Sequence, residues 1–379
     1  MELAARSTAA HLQAAGHEVE VLTTCIRDFF ADWGRNYHEP GVTREAGVAV
    51  RRFPVSAGNK EAFQEANRRI LSGQVVSRAV EEAFAREMFA CPALYQYIAE
   101  HAQEYIFFFI PYLYATTIYG VSICPERSVM IPCLHDEAYA TMRLFEDVMA
   151  RPRALVFLAQ AEADLVQRLY GAQERQIRQV IGLGVETDFT ADGARFRRKY
   201  GLDEPFLLYV GRRDAGKNTP LLLAHWTRFV RETGSGAKLV LIGPGDMALD
   251  ESMAGHVLDL GYVSLQDKYD AYAAADCLCQ PSVHESFSLV IMEAWLAETA
   301  VLVNGRCAVT VEHCRSSNGG LYFNGYEEFA ATVQYLLEHP AMAHKMGQNG
   351  RRYVLENYRW PLVMEQYERL ICEIDDAEQ

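Results

Sequence analysis

The sequence predicts an α/β protein built from two doubly wound domains, each a parallel sheet with helices on both faces. The chain has 379 residues, which is enough for two or three hydrophobic cores. Short apolar runs alternate with polar turns and helical patterns, as is typical of parallel sheets. The apolar runs also fall into two sets of about six, and one such set makes one doubly wound sheet.

Each predicted strand is a short apolar run bounded by turn residues or by a helical pattern. In the first half of the chain the runs span 18–24, 48–54, 105–111, 128–136, 154–160 and 177–184. In the second half they span 206–212, 238–246, 257–263, 276–282, 300–306 and 319–323. Glycines near 181–189 suit a hinge, so we expect domains over 1–185 and 186–360 and a C-terminal segment over 361–379.

Residues 105–125 form an uncharged run that allows two interpretations. The run is long enough to span a bilayer. It also fits a buried parallel strand over 106–110, a turn at Pro111 and a short apolar helix, since buried parallel strands read as unbroken apolar runs. Pro111 and the frequent Tyr, Thr and Ser residues favour the strand, turn and helix.

Composition narrows the classes of partner and the compartment. The formal net charge of −14 argues against nucleic acid as the main partner, although a local basic patch facing a membrane or an anionic ligand stays compatible with it. Nine scattered cysteines and the lack of a secretory hydrophobic segment indicate a reduced, cytosolic chain. Cys277 and Cys279 alternate on one face of a predicted strand, where we interpret them as small buried hydrophobes rather than metal ligands.

The N-terminus departs from the usual order of a doubly wound domain. Residues 2–15 have a helical pattern that ends at Gly16, before the strand at 18–24. Such a domain normally begins with a central strand, and the turn after that strand carries a glycine-rich ligand loop. Neither feature precedes the first helix in this sequence.

The segment 276–299 carries the strongest chemical signal. A strand ends near Pro281, and a helix follows with Ser286 or Ser288 as its N-cap. Ligands of open α/β domains bind beyond the carboxyl ends of the strands, and a helix N-terminus at that edge suits a phosphate. Glu293 lies inside the helix with apolar neighbours at i−4, i−3, i+3 and i+4, so its carboxylate needs either ligand hydroxyls or a cation of the same domain.

A second segment places two cations at the same edge. Arg212 stands where the strand over 206–212 ends, and Lys217 opens the following helix. A basic pair beside a helix N-terminus can hold a diphosphate, and two solvated surface charges are the alternative.

Four segments in this order resemble the retaining family-4 glycosyltransferases of the two-domain GT-B fold: GRRDAGKN, LIGPGD, QPSVHESFSLVIMEA and NGGLYF. The closing MGQNGRRYVLENYRW is also similar to the end of that family. The resemblance implies two Rossmann-like domains that face each other across a cleft. It also implies a last helix, from Pro361 onward, that crosses back to the first domain.

The resemblance implies a donor site. Arg212 and Lys217 match the residues that hold the donor's diphosphate, Glu293 matches the acid on the nucleotide ribose, and Glu285 matches the acid that faces the donor sugar. Two loops complete the match. One lines the sugar and phosphate and consists of Ser286, Phe287, Ser288 and Leu289. The other lies beside the base and consists of Gly261, Tyr262 and Val263. His135 matches the family's histidine near the transferred sugar, so we expect His135 and Glu285 to be the catalytic residues.

The resemblance also implies a reaction: transfer of a hexosyl unit, with retention, from a nucleotide-diphosphate sugar to a glycan, lipid-linked or small-molecule acceptor. We expect no metal and no other cofactor, and interpret Asp136 and Glu137 as structural or acceptor-side residues. A cytoplasmic location is implied, with peripheral contact at the inner membrane face as an option. The alternatives are a nucleotide-sugar epimerase and a nucleotide-sugar-binding protein with impaired catalysis.

The sequence departs from the family pattern at several positions. Ser286 and Ser288 replace glycines beside Phe287, while Glu298 and Ala300 replace a usual Gly and Pro. The first strand and its glycine-rich turn are not matched, which should leave a gap in the first sheet. Either the true start lies upstream or the protein is naturally shortened and impaired, and our hypothesis is the first.

Overall fold

A computed structural model describes residues 2–28, 31–172, 174–245, 253 and 255–376. Contacts divide the chain into two compact units, one formed by Met1–Gly184 with Pro361–Gln379 and the other by Val185–Trp360. We call them unit 1 and unit 2. The end of the predicted strand over 238–246, at Asp246, lies outside the described residues.

Unit 1 alternates helices with short strands. Its helices are α1 Glu2–Ala14, α2 Lys60–Leu71, α3 Arg78–Met88, α4 Pro92–Glu100, α5 Ala115–Gly120, α6 Arg143–Ala150 and α7 Gln160–Tyr170. Its strands are β1 Glu20–Thr24, β2 Gly41–Glu45, β3 Val48–Phe53, β4 Ser56–Ala57, β5 Phe89–Ala90, β6 Phe107–Phe109, β7 Ser128–Met130, β8 Ala154–Phe157 and β9 Ile177–Val180.

The parallel strands of unit 1 are divided between two sheets. One sheet has the order β1-β3-β2, with β1 parallel and β2 antiparallel to β3. The other has the order β6-β7-β8-β9 and is parallel throughout. This division agrees with the gap expected from the sequence. Strand β2 was not predicted, because its five residues are all exposed and form no apolar run.

The uncharged run 105–125 folds as a strand, a turn and a short helix, as predicted. Strand β6 pairs in parallel with β7, and α5 begins a few residues after Pro111. Among the residues that the structure describes, no helix combines the length and the apolar character needed to cross a membrane.

Unit 2 contains one six-stranded parallel sheet. Its strands are β10 Phe206–Val210, β11 Lys238–Ile242, β12 Val257–Asp259, β13 Cys277–Gln280, β14 Val301–Asn304 and β15 Gly320–Phe323. Its helices are α8 Gly193–Tyr200, α9 Thr219–Thr233, α10 Leu265–Ala274, α11 Leu289–Leu296, α12 Ala308–Ser317, α13 Tyr326–Glu338 and α14 Pro340–Asn357.

The strand order of unit 2 determines where a ligand can bind. The order is β12-β11-β10-β13-β14-β15. Strands β11 and β12 are therefore added on one side of β10, and β13, β14 and β15 are added on its other side. Strands β10 and β13 are therefore neighbours at the point where the direction reverses. In open α/β sheets a ligand crevice forms beyond the carboxyl ends of the strands at such a switch point.

Close packing at this edge depends on one glycine. Gly243 follows β11 with a φ of 126°, and a Cβ there would lie 2.1 Å from the carbonyl oxygen of Gly211. The loops after β10 and β11 therefore touch through their backbones, which only glycine permits. Cys277 and Cys279 on β13 are both buried in the hydrophobic core of unit 2, as predicted.

The last helix, α15 Trp360–Asp376, packs on unit 1. The ring of Tyr367 lies 6.0 Å from that of Phe108 on β6. Glu368 also accepts a 2.8 Å hydrogen bond from His17, which precedes β1, so the helix contacts residues next to both sheets that contain parallel strands.

Candidate active site

The loop after β10 positions Lys217 through a short turn. The turn spans Ala215–Lys217, and the carboxylate of Asp214 accepts the Lys217 backbone N–H at 2.9 Å. The sequence placed Lys217 at the start of a helix, but α9 begins at Thr219. The physical reason is Asn218, whose left-handed backbone (φ 56°) separates the turn from the helix.

Lys217 and Glu285 form an ion pair across the switch point. The Lys217 Nζ lies 2.7 Å from Glu285 Oε1, and the Glu285 side chain is only 9% exposed. Glu285 stands in the loop between β13 and α11, as the sequence predicted. The structure thus brings together two residues separated by 68 positions, and each neutralises the other.

The backbone carbonyl of Pro281 accepts hydrogen bonds from two neighbouring segments of unit 2. The oxygen of Pro281, directly after β13, accepts hydrogen bonds from the side-chain amides of Asn218 and Asn304, both at 3.0 Å. These asparagines end the turn after β10 and the strand β14. The sequence interpretation missed both, because nothing in their local pattern shows that they meet at one acceptor.

Arg212 is in the same loop as Lys217, and its side chain is more exposed. Strand β10 ends at Val210, and the Arg212 guanidinium is 3.2 Å from the Asp214 carboxylate. The next residue, Arg213, is buried and pairs with Asp259 at the end of β12. Adjacent arginines have the same chemistry, so only the fold distinguishes the half-exposed one at the candidate site from the buried one that joins two loops.

Glu293 is also neutralised, by a lysine from the neighbouring helix. Its Oε1 lies 2.7 Å from Lys268 Nζ, and its Oε2 accepts a 2.8 Å hydrogen bond from the Tyr272 hydroxyl. Both partners are on α10. The structure thus supplies the cation of the same domain that one of the two sequence alternatives required. Burial, and then the charge of Glu293, raise the pKa of Tyr272, so its hydroxyl stays protonated as a donor.

The loop before α11 ends in a strained residue. Ser288 is the N-cap of α11, with a left-handed backbone (φ 70°) and no side-chain capping bond, in contrast to the capping serine expected from the sequence. The preceding Phe287 is buried, and its ring meets those of His313 and Tyr358 edge-on. Ser286 precedes this anchored ring, and Leu289 is the first residue of the helix.

The second predicted loop lies at the same edge of the sheet. Gly261 donates its N–H to the Asp259 carboxylate at 3.0 Å, and its carbonyl accepts from Gly243 at 2.8 Å. Tyr262 is 82% exposed, and Val263 is half-buried. An exposed ring held by a fixed backbone can stack on a planar ligand group.

His135 belongs to unit 1 and lies in a loop rather than at a strand end. Strand β7 ends at Met130, five residues before His135, whereas the sequence prediction extended the strand to residue 136. The His135 Nδ1 is 3.7 Å from the Glu137 carboxylate, which also accepts from the Tyr112 hydroxyl at 3.1 Å. Asp136 forms an exposed ion pair with Arg168.

A buried glutamate supports the loop of His135, and the sequence analysis missed it. Glu162 on α7 is fully buried and accepts the backbone N–H groups of Leu134 at 2.7 Å and Leu158 at 2.8 Å. Burial raises the pKa of Glu162 to about 7. The signal was available, since its neighbours at i−4, i+3 and i+4 are apolar, as they are for Glu293.

The edge of unit 2 therefore combines groups suited to a ligand with both a diphosphate and hydroxyls. Lys217 and Arg212 supply positive charge beside the N-terminus of α11, and Glu285 and Glu293 can accept hydrogen bonds from hydroxyls. Within the described ranges, no three His, Cys, Asp or Glu side chains cluster as a metal-binding group.

Curated relatives match about half of the chain. The D-inositol 3-phosphate glycosyltransferase of Rhodococcus opacus (strain B4) is 28% identical over 236 residues, which cover 57% of this chain and 52% of the relative. An uncharacterized glycosyltransferase of Methanocaldococcus jannaschii is 30% identical over 177 residues, covering 44% of each chain. The chain thus spans about half the length of the curated relatives it matches.

Solved structures match most of the chain. Sucrose-phosphate synthase from Thermosynechococcus elongatus has a TM-score of 0.66 at 18% identity and covers 98% of this chain and 93% of its own. Anabaena HepE, solved with UDP and glucose, has a TM-score of 0.63 at 13% identity, covering 86% and 87%. These likenesses show that the chain has the GT-B fold. A family model, glycosyl transferases group 1, matches residues 192–353, which lie within unit 2, so this part of the chain is similar to that family.

Proposed function

We propose that the protein transfers a hexosyl unit from a nucleotide-diphosphate sugar to an acceptor hydroxyl, with retention and without a metal. One observation carries the proposal: at the switch point of unit 2, Lys217 and Lys268 each hold one of the two acids, Glu285 and Glu293. These two pairs supply cations for phosphates and carboxylates that can accept hydrogen bonds from hydroxyls, and such a donor carries both kinds of group.

The proposed chemistry needs charge stabilisation more than proton transfer. As the glycosidic bond breaks, negative charge grows on the leaving diphosphate. Lys217, Arg212 and the free N–H groups at the start of α11 stabilise that charge, since they are fixed before the reaction. Glu285 accepts hydrogen bonds from the donor sugar, and Glu293 from the ribose. The role of His135 beside the transferred sugar rests on the sequence resemblance.

The relatives support a nucleotide-sugar donor. HepE was solved with UDP and with UDP-glucose, and the curated relatives include a trehalose synthase and D-inositol 3-phosphate glycosyltransferases. The acceptors of these proteins differ, so for this chain we propose a glycan, lipid-linked or small-molecule hydroxyl as a class. A cytoplasmic protein with a peripheral membrane contact remains part of the same proposal.

Ligand-induced stabilisation tests the donor assignment. UDP-, GDP- and ADP-glucose are each added to the full chain, and the one that is bound raises the melting temperature as its concentration rises. Glu293→Ala should weaken that binding about tenfold or more, because the ribose loses its acceptor. Glu285→Ala should mainly lower the rate of transfer. Normal binding and turnover in both variants would show that the site is wrongly assigned.

Glu298→Ala is the matched control. Glu298 also holds an ion pair, with Arg351 at 2.8 Å, but it lies beyond the C-terminus of α11. Loss of that pair should change stability without changing nucleotide binding. If all three variants lose binding together, the effect is a loss of folding rather than of a site.

The divided sheet of unit 1 favours one second candidate, nucleotide-sugar binding without transfer. Loops are placed most firmly when they leave one continuous sheet, and the parallel strands of unit 1 are divided between two sheets. Tight donor binding with neither transfer nor donor hydrolysis would support this candidate. Measured transfer to any hydroxyl acceptor would exclude it.

A further inference from the structure

Ser288 combines two features that are unfavourable in a protein without ligand. Its φ of 70° places an L-residue in the left-handed region, where serine is uncommon. Its hydroxyl is buried and has no hydrogen-bond partner among the described residues, and the residue is only 7% exposed. Strained backbone and unpaired buried polar groups both occur preferentially at binding sites.

The surrounding structure holds Ser288 in this state. The buried ring of Phe287 is fixed against His313 at 5.3 Å and Tyr358 at 4.9 Å between ring centroids. On the other side, the Ser288 carbonyl accepts the N–H of Ile291 in the first turn of α11 at 3.1 Å. The loop therefore cannot relax its backbone without giving up one of these contacts.

The position of Ser288 indicates which chemistry would satisfy the hydroxyl. It caps α11, whose first backbone N–H groups receive no bond from a capping side chain. Three residues before it stands Glu285, which holds Lys217 at 2.7 Å. Free N–H groups, a lysine and a hydroxyl are three kinds of donor, and an oxygen of a diphosphate accepts from all of them.

We propose that the Ser288 hydroxyl donates a hydrogen bond to a diphosphate oxygen of the bound donor. The inference rests on the proposed function and adds a side chain to it, since the resemblance gave this residue only a backbone role. The hydroxyl is buried without a partner among the described residues of the unliganded chain, and a change between staggered χ1 positions redirects a serine hydroxyl without backbone movement. Its unfavourable state is thus relieved when the diphosphate binds.

Two substitutions separate a ligand contact from a structural one. Ser288→Ala removes the hydroxyl, and Ser288→Gly also removes the left-handed strain. In the full chain without ligand, both should melt at or above the wild-type temperature, because an unsatisfied group is lost. Both should bind the preferred nucleoside diphosphate, chosen from UDP, GDP and ADP, about tenfold more weakly. The loss should be smaller for the corresponding monophosphate, which offers fewer phosphate oxygens.

Two control variants match these changes. Ser317→Ala removes a buried hydroxyl that is satisfied, since it donates to the His313 carbonyl at 2.7 Å, and should lower the melting temperature without changing nucleotide affinity. Asn318→Gly relieves a left-handed residue (φ 51°) at the far end of α12 and should leave affinity unchanged.

The outcomes are distinct. Lower stability with wild-type affinity in Ser288→Ala would make the hydroxyl structural and overturn this inference alone. If the wild-type chain binds none of the three nucleoside diphosphates, the proposed function and this inference both fall. Weaker diphosphate binding at undiminished stability supports the inference.

Discussion

Acid should weaken unit 2 through one buried histidine. His313 on α12 is fully buried beneath Phe287, its Nδ1 lies 3.0 Å from the Tyr353 hydroxyl, and its Nε2 has no partner among the described residues. Burial lowers the pKa of His313 to about 3. The folded chain therefore keeps this imidazole neutral down to strongly acidic pH.

The size of the effect follows from the two pKa values. In the unfolded chain the pKa of a histidine is about 6.5. Between that pH and the folded value of about 3, only the unfolded chain takes up the proton, so stability is lost as pH falls below 6.5. At pH 5.0 the loss from this residue alone is about 2 kcal/mol, at about 1.4 kcal/mol per pH unit.

Urea unfolding at pH 7.5 and 5.0 measures this loss in the wild-type chain and in His313→Asn. Asparagine can reach Tyr353 from the position of Nδ1 and does not titrate. The variant should be less stable at pH 7.5, because it loses ring packing against Phe287. On acidification, however, it should lose about 2 kcal/mol less than the wild type. His344→Asn, at an exposed imidazole, is the control. Equal losses in wild type and His313→Asn would refute the reasoning.

Three further predictions test other parts of the structure. Gly350→Ala places a Cβ 2.2 Å from the buried ring of Trp295 and should destabilise unit 2 by about 2 kcal/mol or more. The measurement is the melting temperature, which should fall. An unchanged melting temperature would contradict the close contact between α11 and α14. The raised pKa of Glu162 means that acidification from pH 7.5 to 5 stabilises the wild-type fold through this residue. The free energy of unfolding of Glu162→Gln should therefore fall by about 2–3 kcal/mol relative to that of the wild type over the same interval, as measured by urea unfolding. An equal change with pH in both chains would argue against this. Lys268→Met leaves the Glu293 carboxylate without its cation and should cost about 1–2 kcal/mol in urea unfolding, which Lys268→Arg should largely restore.

The strands of both units could be predicted because each buried parallel strand is an apolar run between turns. All twelve predicted runs contain a strand, although most strands end earlier than the runs do. The run over 128–136 is the clearest case: the pairing ends at Met130, and the apolar residues that follow are buried in a loop instead. Apolar character reports burial, and it does not report where a strand leaves its neighbours. For the same reason the exposed strand β2 gave no signal.

The candidate site could be predicted residue by residue but not pair by pair. The helical pattern placed Glu293 on α11 and showed that its carboxylate needed a partner. It could not name Lys268, because that lysine comes from another helix and only the packing of α10 beside α11 brings the two within 2.7 Å. Likewise, nothing local distinguishes Arg213, which is buried, from Arg212, which is half exposed.

These pairings alter how donor binding should be understood. In the unliganded chain both acids already have a cation, Lys217 on Glu285 and Lys268 on Glu293. A diphosphate that attracts Lys217 would leave the buried Glu285 uncompensated, unless the sugar of the same ligand provides hydroxyls at that moment. A free diphosphate should therefore gain less from Lys217 than a diphosphate joined to a sugar. Under the proposed function, the ion pair makes the site select the intact donor over the leaving group, because only the donor replaces both partners at once.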